Sequence, residues 1–294
     1  MQDNVPTIMS KHLSDIRPVL DHKSCEQVQL IGKRVWGGTV GAVAPTPLLI
    51  TLVKNGGILL AIYLPDGPDE LDGMVGFVFG FPAYERDIDG QTIPKHCSHQ
   101  LAVLPEFHRR GLGLQLKLAQ RDAVLAQGMT DWVTWTFDPL QRVNAIFNLE
   151  RLGATSQTYI KNAYGDLDDN LNIGLTTDRV QIDWDLSSPR VLRAITKQNQ
   201  DSLPLKKLHI LSAPTSDEDC NVHIPSGEKY VTLAVPLPNN VNNRETSEQS
   251  NLSLWRQFLG SVLTSAFDTG YTLSGCQDLP NIGHHYILIT DQKT

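Results

Sequence analysis

The chain is short of cysteine, of long apolar runs and of positive charge. Its four cysteines, Cys25, Cys97, Cys220 and Cys276, lie far apart and form no CxxC pair. A zinc knuckle or a dithiol redox motif is therefore not supported, and reduced thiols are the simple reading. The longest apolar stretches, Leu59–Leu64 and Gly76–Phe81, fall well short of the roughly 18 residues a spanning helix needs. The opening residues, Met1 to Pro6, have no basic segment leading into an apolar one, so no secretory signal is read there. Together these absences predict a soluble cytoplasmic protein without a membrane partner.

Basic residues are outnumbered: 25 Lys and Arg face 32 Asp and Glu, for a net charge of -7. A globally acidic chain lacks the broad positive field behind non-specific nucleic-acid affinity, so no nucleic-acid partner is expected. What the chain does have is 294 residues, of which 40% are hydrophobic. That is enough for a substantial core in one large or two ordinary domains, and it excludes a disordered or collagen-like chain. No internal repeat is visible.

Three regions follow from the pattern. Residues 1–23 are polar and without clear periodicity, and read as a flexible or surface-packed arm. From 24 to 189 the pattern is α+β with a mixed sheet. Val28, Leu30, Ile31, Val35 and Trp36 recur at helical spacing after Ser24, with Gly37-Gly38 as the stop. Leu48–Val53 and Ile58–Leu64, separated by Lys54-Asn55-Gly56-Gly57, read as two strands of a hairpin. Met74–Phe81 reads as a third strand and Gln100–Leu104 as a fourth. Leu112, Leu116, Leu118, Ala119, Ala123 and Leu125 then mark one face of a helix, with Gln115, Lys117 and Arg121 on others. A strand at Trp132–Phe137, a helix from Val143 to Leu152, and strands at Thr158–Ile160 and Val180–Trp184 complete the region. Residues 190–294 read as a smaller α+β unit with long polar loops, a strand at Tyr230–Val235, a helix at Leu252–Phe267, and strands at Tyr271–Gly275 and His285–Ile289.

The segment richest in chemistry is Gln100-Leu101-Ala102-Val103-Leu104-Pro105-Glu106-Phe107-His108-Arg109-Arg110-Gly111-Leu112-Gly113-Leu114. A strand runs through a turn with two glycines and two arginines straight into a helix. Glycine lets the backbone approach an oxyanion, the first-turn amides are unpaired, and the helix dipole favours negative charge there. Arg109 and Arg110 add charge-assisted contacts, so the turn suits a pyrophosphate. It is neither a P-loop, which needs Gly-Lys-Ser/Thr, nor the three-glycine dinucleotide fingerprint.

On His108-Arg109-Arg110-Gly111-Leu112-Gly113, preceded by the apolar strand and Pro105, the sequence resembles the GNAT superfamily of acyl-CoA-dependent N-acyltransferases. The order of elements agrees: helix, three strands, signature strand and helix, strand, helix, two closing strands. Ser98-His99-Gln100-Leu101-Ala102-Val103, Trp135-Thr136-Phe137-Asp138-Pro139-Leu140, Asn144-Ala145-Ile146-Phe147-Asn148, Leu152-Gly153-Ala154, Tyr164-Gly165 and Asn172–Arg179 with Trp184 are similar to a bacterial GNAT-related family of predicted acyltransferases, linked to N-succinylation of amino acids.

The resemblance implies a GNAT-like mixed, mostly antiparallel central sheet flanked by helices, and acyl transfer from acetyl-CoA or succinyl-CoA, with no metal, to the amine of a small molecule or amino acid. It implies that Leu101, Ala102 and Val103 pair through their main chain with the pantetheine arm. Amides from Arg109 to Leu114, including Gly111, Leu112 and Gly113, would hold the pyrophosphate, with His108 at the start of the motif. Asn144 and Asn148 would neighbour the cofactor arm or thiol. Trp135, Phe137 and Asp138 would lie on the acceptor side, although core packing also explains a buried aromatic there.

Acyl transfer to an amine needs a neutral amine, a held carbonyl and a proton for the departing thiolate. His99, on the signature strand, is the candidate base, and the alternative for it is a structural hydrogen bond in the sheet. Two departures stand out. His108 occupies a position where the superfamily usually has Gln or Arg, and Leu149 stands where many members carry the tyrosine that protonates the thiolate. The acid would then come from Tyr159, Tyr164 or water, and a degenerate CoA-binding protein is the competing expectation. The chain is read as a monomer or homodimer.

Overall fold

The computed structural model describes residues 15–37, 43–165, 176–197, 208–222, 224, 232–238 and 246–290, with backbone only for 246–250. Packing divides the chain into two compact units. The first runs to Trp135 and takes back Asp185–Ser187; the second begins at Thr136 and holds the rest. Each is α+β, with a mostly antiparallel sheet flanked by helices.

In the first unit the sheet order is β1 (Asp15–Pro18), β2 (Ile58–Tyr63), β3 (Met74–Arg86), β4 (Thr92–Val103) and β5 (Trp132–Phe137). Neighbours are antiparallel except β4 and β5, which are parallel. β1 falls inside the segment expected to be an unstructured arm; Asp15–Pro18 pairs with Leu60–Tyr63 and so belongs to the sheet edge. Residues 1–14 of that arm lie outside the described residues.

Helix α1 (His22–Trp36) starts one turn earlier than the apolar spacing indicates, because Asp21 rather than Ser24 caps it: the Ser24 amide donates to Asp21 Oδ1 at 2.9 Å. The expected strand at Leu48–Val53 is instead helix α2 (Thr46–Lys54). Pro45 and Pro47 preset the first helical φ values, and Asn55-Gly56, read as a hairpin turn, closes the helix, Gly57 N donating to Leu52 O at 2.7 Å. β3 and β4 extend well past their expected ends as a long hairpin, with Arg86 opposite Thr92 and the turn held by Gln91 and Asp89 amides on Asp87 Oδ1.

Side-chain alternation sends Phe77 and Phe79 to one face, where Trp36 of α1 meets Phe77 edge-on at 6.1 Å. The opposite face is covered by α3 (Leu112–Gln127), whose Leu116 and Val124 are buried.

In the second unit the order is β7 (Arg179–Asp185, its last residue counted with the first unit), β6 (Thr155–Ile160), β10 (Tyr271–Leu279), β11 (Gly283–Thr290), β9 (Thr232–Pro236) and β8 (Leu208–Ile210). Only β8 and β9 are parallel. Helix α4 (Arg142–Ala145) continues as a π-helical segment to Arg151, α5 covers Pro189–Ile195, and α6 covers Thr246–Asp268. The strand expected at Tyr230 begins, among described residues, at Thr232, and Asn172–Leu175 lie outside them. No helix among the described residues is long and apolar enough to cross a membrane.

Candidate functional site

The signature strand is not regular. On β3, Phe79 faces Gln100 and the next residue, Gly80, faces Ser98, so His99 is an extra residue on β4, a β-bulge. β4 pairs with β5 through His96↔Val133 and Cys97↔Thr134, immediately before that bulge. The stretch from Ser98 to Val103 follows this pairing and runs on toward the turn that opens α3.

The bulge turns the exposed His99 toward the aromatic face, where its ring lies 6.2 Å from both Phe79 and Phe81. These rings exclude water on its inner side and hold its imidazole below the usual histidine range, so it is neutral at pH 7 and able to accept a proton. Cys97, opposite Phe81, shares this face, and burial pushes its thiol up.

At the far end of the strand, Ala102 and Val103 are buried and Leu101 half-buried. Past the 3-10 turn Pro105–Phe107, His108 sets its Nε2 2.8 Å from the Val103 carbonyl oxygen, tying the turn to the strand. Arg109 and Gly111 both take left-handed backbone conformations, with φ of 63° and 75°. A Cβ on Gly111 would meet nothing within 4 Å, so the site is open and glycine is needed there for its φ. The first helical bond of α3 is Gln115 N to Gly111 O at 3.2 Å. The amides of Leu112, Gly113 and Leu114 precede it and lack intrahelical acceptors. Arg109 is exposed; Arg110 is paired with Asp66 at 2.9 Å on the surface and lies over the Phe107 ring. Such an exposed pair is weakly held and can exchange for an anionic ligand.

Below the bulge, on the α3 face, is a buried polar cluster around Lys117, a residue the sequence pattern put off the apolar face of the helix. Lys117 Nζ donates to Ser98 Oγ at 2.9 Å and Gln120 Oε1 at 3.1 Å, and stands 3.6 Å from the centre of the Trp135 ring. Ser98 donates in turn to Gln120. Burial pulls the Lys117 ammonium down to about 7, with Cys97 pulling weakly the other way. His96 is driven down to about 4, by burial and then by Lys117, and its Nδ1 is buried with no hydrogen-bond partner. Gly80 makes room for the cluster: a Cβ there would collide with His96 Nε2 and lie 2.9 Å from Gln120 Nε2. The apolar spacing of α3 gives no signal for Lys117 and Gln120; only the packing of α3 under β4 does.

The remaining candidates belong to the second unit, apart from Trp135. Phe137 is buried. Asp138 is gripped by Arg256 at 2.6 and 3.1 Å and accepts from the Leu140 amide at 2.9 Å. Asn144 is exposed and Asn148 buried. Leu149, in the tyrosine position, is fully buried. Tyr159 donates to Asp178 Oδ2 at 2.7 Å, and burial followed by that bond holds its proton far above the ordinary tyrosine range. Tyr164, half exposed, shares a 2.8 Å hydrogen bond with Thr136 Oγ1. Among the described residues no group of three or more His, Cys, Asp or Glu could hold a metal ion.

No protein-family model and no curated protein sequence matches the chain. Solved structures do. A Streptococcus mutans protein is 19% identical with a TM-score of 0.44, matching 58% of this chain and 99% of its own. The Arabidopsis thaliana protein NAA60 in complex with acetyl-CoA is 15% identical with a TM-score of 0.45, matching 58% of this chain and 98% of its own. The Escherichia coli ribosomal-protein-S18-alanine N-acetyltransferase is 17% identical with a TM-score of 0.41, matching 60% and 96%. At these values the reading of function rests on the chain's own residues.

Proposed function

We propose that the chain is an acyl-CoA-dependent N-acyltransferase of GNAT type, cytoplasmic, that moves an acetyl or succinyl group from the CoA thioester to the amine of a small molecule or amino acid. One observation carries the reading: β4 bulges at His99 and runs into a left-handed Arg109–Gly111 turn whose following amides lack intrahelical acceptors at the start of α3. A bulge interrupts the hydrogen-bond ladder of a strand, where an extended, amide-bearing arm can be received by the hydrogen bonds of strand addition. The amides of Leu112 to Leu114 and the cation of Arg109 fit a pyrophosphate. CoA has both parts, joined end to end.

In this reading Leu101 to Val103 orient the arm by their main chain, and the turn binds its phosphates. His99, neutral at pH 7, takes the proton that the amine sheds as its nitrogen bonds to the thioester carbon. The C–S bond then breaks, and the thiolate takes up a proton. A protein that binds CoA esters without turnover is the second reading; Leu149 and the proton-retaining Tyr159 favour it.

Calorimetric titration with acetyl-CoA and succinyl-CoA decides whether the turn is a CoA site. Micromolar binding by the wild type, lost in Gly111→Val while the far-ultraviolet spectrum is kept, is the expected result; no binding of either ester overturns both readings. Thiol release with a panel of amines and amino acids separates enzyme from sensor. His99→Ala is expected to slow release by about 100-fold, the scale of a general base, with CoA affinity unchanged.

A further inference from the structure

Asp138 stands in the sequence as an acceptor-side residue, but its carboxylate is committed elsewhere. Arg256, on α6 of the C-terminal extension and itself only 4% exposed, donates Nη1 to Oδ1 at 2.6 Å and Nη2 to Oδ2 at 3.1 Å. The Leu140 amide takes the remaining approach to Oδ1, and the Gln141 amide donates to the Asp138 carbonyl at 2.9 Å. This is a closed turn between β5 and α4, fixed by a two-pronged guanidinium. A second bond comes from the same extension: Tyr286 of β11, fully buried, donates its hydroxyl to the Pro139 carbonyl at 2.8 Å.

The approach of α6 is itself provided for. Four residues after Arg256, on the same face of the helix, Gly260 leaves only hydrogen toward Tyr159, whose hydroxyl would stand 3.1 Å from a Cβ. Arg256 Nη1 also reaches the Asp178 carbonyl at 3.4 Å, and Asp178 holds Tyr159 and the Asn162 amide. The one polar atom left over is Arg256 Nε, buried and without a hydrogen-bond partner. Lysine, a point charge, could not replace this fork.

We infer that Arg256 and Asp138 are positioning residues: through them the C-terminal extension sets the β5–α4 turn, and Asp138 is the anchor of that turn rather than a contact for the acceptor. The functional half of this inference rests on the acyltransferase reading; the geometric half does not. The turn precedes the α4 and π-helical segment that carries Asn144 and Asn148, so its displacement would reach them.

Four variants test this: Arg256→Met, Arg256→Lys, Asp138→Asn, and Arg256→Met with Asp138→Asn. Amide hydrogen exchange of residues 138–148 is read against the β2–β3 amides of the first unit. Arg256→Met and Asp138→Asn are each expected to speed exchange in 138–148 at least tenfold with β2–β3 unchanged, and the double variant to be no faster than the faster single one. Arg256→Lys, which keeps the charge and the fold but not the fork, should fall between. Unchanged exchange in the Arg256 variants, or additive effects in the double variant, overturns the clamp.

In the kinetic arm, kcat/KM for the amine is expected to fall at least tenfold in Arg256→Met and Asp138→Asn alike, with acetyl-CoA affinity within twofold of wild type. A loss confined to Asp138→Asn overturns the anchor role in favour of direct contact. Failure of the wild type to bind acetyl-CoA removes the acyltransferase reading, and the exchange measurement then decides the clamp alone.

Discussion

Both units bury cations, and Lys117 of the first and Arg256 of the second meet the cost of burial in opposite ways. In the second unit Arg256 meets Asp138 in a fork and stays charged. In the first, Lys117 lies among a hydroxyl, an amide oxygen and an indole face, and burial brings its proton close to release at neutral pH. Guanidinium is too basic to shed its proton and must be matched; ammonium can be accommodated by becoming an amine. The Arg256 fork fixes geometry, and the Lys117 cluster makes local structure depend on pH.

The comparison breaks most sharply at Asp138. Asp138→Ala leaves Arg256 buried without its carboxylate and is expected to cost about 3–5 kcal/mol, read as the shift of a denaturation curve. Gly80→Val drives a side chain into His96 and to 2.7 Å from the Cys97 carbonyl, and should cost about 1–3 kcal/mol by the same measurement.

A smaller effect, on the order of 1–2 kcal/mol, is expected from His96 in acid. Its folded value near 4 lies below the ordinary 6.5, so the native protein binds fewer protons than the unfolded chain between these values. Stability is therefore lost as pH falls from 6.5 toward 4, and His96→Asn should flatten that part of the profile relative to wild type.

The smallest effect belongs to Lys117→Met. Ser98 still donates to Gln120 without the ammonium, so the change at pH 7 should be neutral or stabilising by about 1 kcal/mol. The same sign argument applies: the folded lysine, near 7, binds fewer protons than the unfolded one up to 10.5. The wild type should gain on the methionine variant as pH rises from 7 to 10.5 and run parallel to it below 7. Parallel profiles throughout would mean that Lys117 is not desolvated.

This contrast also marks what the sequence shows. β5 and the start of α3 are readable, because an apolar alternation and a glycine-closed turn are local signals. The burial of Lys117, Gln120 and Arg121 is not, since hydropathy counts every charged residue as solvent-facing and only tertiary packing reverses that. Leu48–Val53 misleads for a related reason: six residues, apolar but for Thr51, fit strand or helix equally, and Pro47 at the helix start decides it. The glycine turn from Arg109 to Gly113 is visible as a strand-to-helix turn, whereas the bulge that redirects His99 exists only in the pairing of β3 with β4. Asp138 stands out in the sequence as an acceptor-side candidate, but its ion-pair partner lies 118 positions later and carries no local signature.

Arg121 has a consequence for the order of synthesis. Its buried guanidinium donates to the Leu186 carbonyl at 2.9 and 3.2 Å, and Ser187 donates to Asp131 at 2.6 Å, so the first unit ends on a return strip 50 residues beyond its main body (185 minus 135). As the chain leaves the ribosome, the Arg121 guanidinium has only Asp122, 3.2 Å away in the folded unit, as a partner until Leu186 has emerged, so the first unit is completed only after β6 and β7 have been made.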